Sequence, residues 1–262
     1  MLAQHTLDQL RSLRLDGLVA ALQDPATTHA AADLDFHARL ALLVQREIDW
    51  RDDKRLARLL KAAQLKVSGA CLQDIDWRAS RGLNRALMAE LAGVGWVREG
   101  RSVLLTGATG CGKTWLACAL ARQAARAGHA VLYTRTARLL EELHVAHGDG
   151  SFKRRLGQLA RLQLLVLDDF ALTPIAPHER ADLLELLDDR VGTRATIITS
   201  QLPPAAWHAW LGEPTLADAI LDRVVHGAHK IALKGESMRR SRAASNTSVT
   251  EAAMAEDISQ GG

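Results

Sequence analysis

The sequence has little of what secreted, disulfide-stabilised and membrane-spanning proteins require. Its 262 residues include only three cysteines, Cys71, Cys111 and Cys118, whose spacing matches no metal site and which cannot all pair within one chain. No apolar run reaches the ~20 residues that cross a bilayer, and the first residues lack the basic end and apolar stretch of a signal peptide. The net charge of +3 is mild and identifies no class of partner. These absences favour reduced thiols and a soluble, cytoplasmic protein.

The most informative feature is a phosphate-binding loop, Gly107-Ala108-Thr109-Gly110-Cys111-Gly112-Lys113-Thr114, which follows the apolar run Val103–Thr106. The glycines permit backbone angles that turn N–H groups inward around phosphate oxygens. Lys113 offers a positive charge to the β- and γ-phosphates, and the Thr114 hydroxyl can ligate Mg²⁺. Helix-forming residues follow from Trp115 to Ala127, so a phosphate would lie at a helix N-terminus. The alternative is a glycine-rich turn that occurs by chance, but such a turn would not need the preceding apolar run, the Lys113-Thr114 pair or the following helix. The pattern predicts a nucleoside triphosphate site.

A second apolar run begins at Leu162 and ends in two acids, Asp168 and Asp169. This arrangement is typical of a strand that carries the metal-binding acid of an ATPase. Asp168 would hold Mg²⁺ together with Thr114, and Asp169 would orient or deprotonate the attacking water. Many related ATPases carry the longer Glu at the second position, so Asp169 predicts slow hydrolysis or hydrolysis that waits for a partner. Two acids that merely cap a strand are the simpler interpretation of the pair taken alone.

Apolar strands alternate with helical stretches after residue 100, which predicts an α/β fold with a doubly wound parallel sheet. We expect strands at Val103–Thr106, Val131–Thr134, Leu164–Asp168, Thr196–Thr199 and Ile231–Leu233. Ligands of such sheets bind at the carboxyl ends of the strands. The spatial order of the strands cannot be read from one sequence.

The residues before the sheet read as a separate helical unit, from Leu7 to about Lys66, with a break at Asp24–Thr28 and Asp33 as a helix-capping candidate. We therefore expect a helical domain at residues 1–68 and the ATPase domain at residues 69–240. Residues 241–262 lack apolar periodicity and are expected to form a disordered tail.

Basic residues are concentrated in the helical unit. Between Arg39 and Lys66 there are eight Lys or Arg and four acids. Helical spacing relates five of them: Arg51, Lys54, Arg55, Arg58 and Lys61. A basic stripe of this kind can follow a nucleic-acid backbone. A solvated helix face laced with ion pairs is the alternative, and the stripe alone favours it.

Several motifs in the same order resemble the IstB family, over about residues 5–241. They are Phe36–Leu43, Arg51–Leu60, Asp74–Trp77, Gly107–Thr114, Leu167–Phe170, Thr199–Pro203, Ala217–Arg223 and Gly235–Arg239. That family comprises ATP-dependent helper proteins of IS21-type transposons, which are AAA+ ATPases close to the DnaC helicase loaders. The resemblance implies a P-loop NTPase of the AAA+ kind, with ATP and Mg²⁺ as ligands, preceded by a small all-helical domain.

The resemblance also implies roles for residues that no pattern alone would select. Arg223, on an expected helix Leu216–Val225, resembles the arginine finger that one AAA+ subunit inserts into a neighbour's site. Arg239 resembles the second sensor of the γ-phosphate, and Gln201, or Ser200 beside it, resembles the first sensor. Without the resemblance, the simpler interpretations are an ion pair of Arg223 with Asp222 or Asp218, a charged tail and a strand-end turn.

The partners follow from the same resemblance. In these helpers the helical unit and the ATPase core grip duplex DNA together, which makes the basic stripe a DNA-contact candidate. Further candidates lie in the core: Arg135, Arg138, Lys153, Arg154 and Arg155. We expect a homo-oligomer with ATP at subunit interfaces, a partner transposase and no membrane. A replicative helicase loader is the related alternative. A P-loop kinase is the alternative from another class, although the arginine-rich lid it would need is not evident.

Overall fold

The computed structural model describes residues 2–24, 27, 33–77 and 81–235. The chain divides into two compact units, Met1–Lys61 and Ala62–Gly262. Arg239 and the expected tail at residues 241–262 lie outside the described residues, as does most of the expected break at Asp24–Thr28. Within the described residues, no helix is both long enough and apolar enough to cross a membrane.

The first unit is helical in its described residues. Its helices are α1 (Leu2–Ser12), α2 (Asp16–Gln23) and the long α3 (Phe36–Ala62). The side chain of Asp35 accepts the Ala38 N–H at 2.8 Å and so caps α3. The prediction of Asp33 as the cap is therefore wrong, because a cap at Asp33 would require the helix to begin at Leu34, whereas it begins at Phe36.

Close packing and one buried acid hold α2 against α3. A Cβ atom added at Gly17 would lie 2.6 Å from the Cβ atom of Trp50, so only glycine allows this approach. Glu47 is buried and accepts hydrogen bonds from the Leu18 N–H at 3.0 Å and from Arg51 Nε at 2.6 Å. The charged acceptor is therefore paired, as burial of a carboxylate requires.

The second unit is built on a parallel sheet. Its strands are β1 (Val103–Gly107), β2 (Val131–Arg135), β3 (Leu164–Phe170), β4 (Ala195–Ser200) and β5 (His229–Leu233), in the spatial order β2-β3-β4-β1-β5. All neighbouring pairs are parallel. The sequence prediction of these strands and of a parallel α/β sheet is confirmed. Because β4 separates β1 from β3, the phosphate loop and the two acids arise from strands that are not neighbours.

Helices cover the sheet and follow the strands as expected. After a short 3₁₀ helix (Leu72–Asp74) come α4 (Arg85–Ala92), α5 (Gly95–Arg98), α6 (Lys113–Arg126), α7 (Thr136–Gly148), α8 (Phe152–Arg161), α9 (Pro177–Asp188), α10 (Pro204–Leu211) and α11 (Pro214–Val225). The three central strands, β1, β3 and β4, are largely buried. Their continuous apolar runs are typical of strands that helices cover on both faces of a parallel sheet. The parallel arrangement brings the carboxyl ends of β1, β3 and β4 to one edge.

The segment before α4 contacts both outer strands of the sheet. The Tyr133 N–H of β2 donates to the Ala63 carbonyl at 2.8 Å, and the Lys234 N–H after β5 donates to the Arg81 carbonyl at 3.0 Å. Between these contacts, Arg122 of α6 donates to the carbonyls of Gly69 and Ala70. We call residues 63–77, together with 81 and 82, the bridging segment. These contacts attach its two ends to the two outer strands of the sheet.

Candidate nucleotide-binding site

The phosphate loop has the backbone that its glycines predict. Gly107, Gly110 and Gly112 have φ values of 142°, 87° and 98°, in the region that favours glycine. A Cβ atom on Gly107 would collide with the carbonyl oxygen of Leu233. Within the loop, Cys111 is buried, whereas Thr109 lies at the surface of the adjoining cleft. The loop conformation therefore depends on glycine at defined positions.

Lys113 points back over the loop rather than into solvent. Its side-chain amine donates to the carbonyls of Gly107 at 2.7 Å and Ala108 at 2.8 Å, and the residue is only 7% exposed. Lys113 is also the first residue of α6, whose N-terminus carries a partial positive charge. The loop thus concentrates positive potential where phosphate oxygens would bind.

Thr114 and Asp168 contact each other directly. The Thr114 hydroxyl donates to both carboxylate oxygens of Asp168, at 2.9 and 3.1 Å. Two further hydroxyls reach the same carboxylate, from Thr199 and Tyr133, each at 2.5 Å. The Lys66 amine lies 3.7 Å from Asp168 Oδ2. The fully buried Asp168 is therefore surrounded by hydroxyl donors and faces one ammonium group.

The contact with Asp168 affects the ionisation of Tyr133. Burial, followed by the hydrogen bond to the Asp168 carboxylate, raises the pKa of the Tyr133 phenol well above its usual value. The phenol is held in its neutral form as a donor, because its ionisation would place a second negative charge against Asp168.

Asp169 lies in the cleft beside Asp168 but makes different contacts. It has a left-handed backbone, with φ of 58°, and its N–H donates to the Thr199 hydroxyl at 3.1 Å. Its carboxylate is partly exposed and lies 3.8 Å from Arg135 Nε. The Thr199 hydroxyl therefore contacts both acids, because it donates its hydrogen to Asp168 and accepts from the backbone of Asp169.

The two candidates for the first sensor differ in their surroundings. Ser200 is fully buried; its hydroxyl donates to the Phe170 carbonyl at 2.8 Å and accepts from Trp207 Nε1 at 3.1 Å. Gln201 is exposed and lines the cleft. Of the two, only Gln201 presents its side chain to the place where a nucleotide would bind.

A cleft of about 610 Å³ lies beside these groups. It is lined by Thr109, Gly110, Gly112, Lys113, Thr114, Trp115, Asp169, Leu172 and Gln201, together with Lys66, Val67, Asp74, Asp76, Arg81 and Arg135. The cleft thus unites the expected loop, the second acid and the sensor candidate. It also includes the bridging segment.

Arg223 lies outside this cleft. Its Nε is 2.6 Å from Asp188 Oδ1, and its Nη1 donates to the Ala219 carbonyl at 2.9 Å. Its ion pair is therefore made with α9, not with Asp222 or Asp218. The second-sensor candidate, Arg239, is outside the described residues.

The basic residues that are candidates for DNA contact differ in whether an acidic side chain pairs with them. Arg51 pairs with Glu47 and Lys54 with Asp16, whereas Arg55, Arg58 and Lys61 are exposed and form no ion pair with another described residue. In the second unit, Arg138 and Arg155 both pair with Glu142. Lys153 and Arg154 are exposed, and Arg135 lies beside Asp169.

Sequence reasoning missed several residues of the site, among them Lys66, Arg81, Tyr133 and Thr199. Thr199 stands next to the expected sensor pair, and its position at a strand end was the available signal. Lys66 stands out in the sequence only as one of several basic residues. No motif marks Tyr133 or Arg81, because the sheet order and the bridging segment alone place them in the site.

The fold and the site define a class of protein. A phosphate loop after β1, two acids at the end of β3 and a polar residue at the end of β4 meet at one edge of a parallel sheet. The fold is that of a P-loop NTPase. Comparison with solved structures finds the same fold elsewhere: the DnaC helicase loader aligns with a TM-score of 0.55 and 21% identity, over 63% of this chain and 97% of that one. The DnaI structure aligns with a TM-score of 0.53 and 23% identity, over 68% of this chain and 94% of that one.

Comparison of sequences is more specific. The family described as IstB-like ATP binding protein matches residues 8–246. A putative ATP-binding protein of insertion sequence IS1162 from Pseudomonas fluorescens is 55% identical over 203 residues, covering 78% of this chain and 88% of that protein. The corresponding protein of insertion sequence IS21 from Pseudomonas aeruginosa is 33% identical over 236 residues, covering 90% and 89%. The chain belongs to the IstB-like family of ATP-binding proteins of IS21-type insertion sequences.

Proposed function

We propose that this chain is an ATPase that, with ATP and Mg²⁺, assembles on duplex DNA and presents that DNA to the transposase of its element. Membership of the ATP-binding family supports the nucleotide, and the contacts in the cleft support hydrolysis. The exposed basic residues of α3 support the DNA. The nucleotide, the hydrolysis and the DNA each rest on a different observation and are tested separately.

The donor set of the cleft fits both ATP and Mg²⁺. Lys113 and the N-terminus of α6 supply positive charge for the phosphates. Thr114 and Asp168 supply a hydroxyl and a carboxylate in direct contact, which are oxygen ligands of the kind Mg²⁺ prefers. When bound, Mg²⁺ neutralises charge on the β- and γ-phosphates. The hydroxyl donors of Thr114, Thr199 and Tyr133 around Asp168 hold that carboxylate in place.

Asp169 is the candidate base of the reaction. It is partly exposed in the cleft and is held by its N–H bond to Thr199, so its carboxylate can accept a proton from water. Arg135 places a positive charge near the same carboxylate. Gln201 supplies an amide at the same edge of the cleft for orienting the water. The short side chain of Asp169 is consistent with slow turnover until a neighbouring subunit contributes.

One observation carries the DNA part of the proposal. Arg55, Arg58 and Lys61 lie on one helix, are exposed and form no ion pair with another described residue. Fixed cations of this kind release counterions when they contact phosphates, which gives affinity without sequence preference. Non-selective binding suits a protein that captures target DNA of many sequences.

The test is an electrophoretic shift of a random-sequence duplex with ATP, with ADP and without nucleotide, at several salt concentrations. We expect ATP-dependent binding that weakens with salt. The triple variant Arg55→Ala, Arg58→Ala, Lys61→Ala should bind less tightly, and its salt slope should fall by about 0.9 for each phosphate that the variant no longer neutralises. Arg46→Ala, on the same helix but outside the stripe, is the matched control and should behave like the wild type.

The outcomes separate the alternatives. Lys113→Ala should abolish nucleotide binding and with it the ATP-dependent shift. Binding to duplex DNA in no nucleotide state would contradict the DNA part and favour the helicase-loader alternative, leaving the ATPase intact. Release of free phosphate from ATP supports the ATPase, whereas transfer of phosphate to an acceptor would identify a kinase.

A further inference from the structure

Arg81 is a buried cation at the phosphate loop. It is 8% exposed and lines the cleft together with Gly110, Gly112 and Lys113. Its Nη1 lies 3.3 Å from the position that a Cβ atom on Gly112 would occupy. It comes from the bridging segment, not from the loop or from the acidic strand, so neither nucleotide motif includes it.

The backbone fixes Arg81 in this place. Its carbonyl accepts the Lys234 N–H at 3.0 Å, just after β5. The next residue, Gly82, has φ of 74°, and a Cβ atom there would lie 3.0 Å from the Ala232 carbonyl oxygen. β5 pairs with β1, which leads into the phosphate loop. The position of Arg81 relative to the loop is therefore set by main-chain contacts.

The guanidinium group is only partly satisfied by the protein. Its Nη2 donates to the Asp76 carbonyl at 2.8 Å, whereas the buried Nε has no hydrogen-bond partner among the described residues. A buried donor without a partner is unfavourable, and arginine offers five N–H groups in a planar fork. Arg81 also lines the cleft, where a ligand can supply acceptors to its guanidinium group.

The local charge indicates the chemistry of that ligand. Arg81, the Lys113 amine and the N-terminus of α6 bring three positive groups to one loop. Like charges repel one another, so an anion bound at the loop would stabilise these three groups, while Asp74, Asp76 and Asp169 of the same cleft offset part of the repulsion. A polyphosphate carries several negative charges and accepts paired hydrogen bonds from a guanidinium.

We propose that Arg81 is a phosphate-binding residue of the nucleotide site, supplied by the bridging segment and donating to the polyphosphate of ATP. The proposal rests on the ATP site of the proposed function. It adds a cation that binds from the side opposite the acidic strand and makes the bridging segment part of the nucleotide site.

The test compares two ligands that share only their phosphates. Binding of a fluorescent ATP analogue to the full-length protein is measured directly, and inorganic tripolyphosphate is measured by competition. Arg81→Gln should weaken both ligands by the same factor, about ten- to a hundredfold for the loss of a charged hydrogen bond. Arg81→Lys keeps the charge but not the fork and should lie between the wild type and Arg81→Gln.

The matched control is Arg101→Gln. Arg101 is exposed, pairs with Glu99 at 2.9 Å and precedes β1 at the end of the strand remote from the loop. This variant should bind both ligands like the wild type. Thermal unfolding without ligand checks that each variant is folded. If Arg81→Gln does not fold, Arg81→Lys decides: weaker binding of both ligands supports the proposal and unchanged binding overturns it.

Two further results would overturn the proposal, and a third would contradict the ATP site instead. Unchanged affinity of Arg81→Gln for ATP overturns the proposal. Weaker ATP binding with unchanged tripolyphosphate binding also overturns it, since Arg81 would then recognise the base or ribose. Failure of the wild-type protein to bind either ligand would instead contradict the ATP site itself, which separates the two hypotheses.

Discussion

At the scale of single residues, the carboxylate of Asp168 is the most heavily contacted group of the site. An ionised carboxylate has about four lone-pair positions. Thr114, Thr199 and Tyr133 already donate to it, and Lys66 faces one of its oxygens. Coordination of a metal ion at Asp168 therefore requires at least one present contact to rearrange. Thr114 and Lys66 are the candidates, because Thr199 and Tyr133 are buried in the sheet.

Tyr133 allows a direct test of this environment, because it is the only tyrosine in the sequence. The raised pKa means that the fold favours the neutral phenol, whereas the unfolded chain ionises near the ordinary value of 10.0. The stabilisation is thus fully present below that pH and is lost as the pH rises above it. We expect tyrosinate absorbance to rise only as the far-ultraviolet circular dichroism is lost.

The control for this titration is Tyr133→Phe. It should show no tyrosinate signal and a smaller decline of the unfolding free energy at alkaline pH. Ionisation near the ordinary value with native circular dichroism would contradict the buried contact with Asp168.

At the scale of elements, the sequence predicted the strands well because their apolar runs are continuous and end at polar residues. The expected β1, β3 and β4 lie within the observed strands. The predicted starting residues of the helices were less accurate than the predicted strands. The helix expected from Leu216 begins at Pro214, after Glu213, whose side chain accepts two N–H groups. Capping by a side chain depends on local rotamers, which apolar periodicity does not report.

The loop and the acidic pair were predictable because their chemistry is local in sequence. The rest of the site was not. Thr199 and Tyr133 reach Asp168 only because β4 and β2 flank β3 in the sheet. Arg81 reaches the loop only because the bridging segment contacts the residues around β5. Such contacts depend on the spatial order of strands, which residue spacing does not encode.

The bridging segment leads to a prediction about metal binding. Lys66 places a positive charge 3.7 Å from Asp168 Oδ2, where a divalent cation would compete with it. Lys66→Ala should therefore lower the Mg²⁺ concentration needed for half-maximal binding of ATP. Titration of Mg²⁺ at fixed fluorescent ATP, and of Mn²⁺ by electron paramagnetic resonance, would measure the change.

Lys230→Ala is the matched control, because Lys230 is an exposed lysine of the same unit that does not line the cleft. It should leave the Mg²⁺ requirement unchanged. If Lys66→Ala weakens ATP binding at saturating Mg²⁺, Lys66 binds phosphate and does not compete with the metal.

At the scale of the whole molecule, the position of Arg223 determines whether it can act on the nucleotide of its own chain or only on that of a neighbouring copy. Arg223 does not line the cleft of its own chain and pairs with Asp188 on the outer helices. If it acts on a γ-phosphate, that phosphate belongs to another copy, and the ion pair with Asp188 must open first. Asp188→Ala should then raise ATP turnover, whereas Arg223→Ala should lower it with ATP binding unchanged. A purely structural ion pair predicts the same effect for both variants.

Mixing two inactive variants tests the action across subunits directly. Arg223→Ala retains an intact loop but lacks the proposed finger, and Lys113→Ala retains the finger but binds no nucleotide. Each alone should turn over little ATP. In a mixed assembly, the finger of a Lys113→Ala subunit can reach the nucleotide of an Arg223→Ala neighbour, so turnover should partly recover. Recovery measured as phosphate release, and rising with total protein concentration, requires both subunits in one assembly. Without recovery, although both variants still co-assemble, Arg223 does not act in trans and its ion pair with Asp188 is structural.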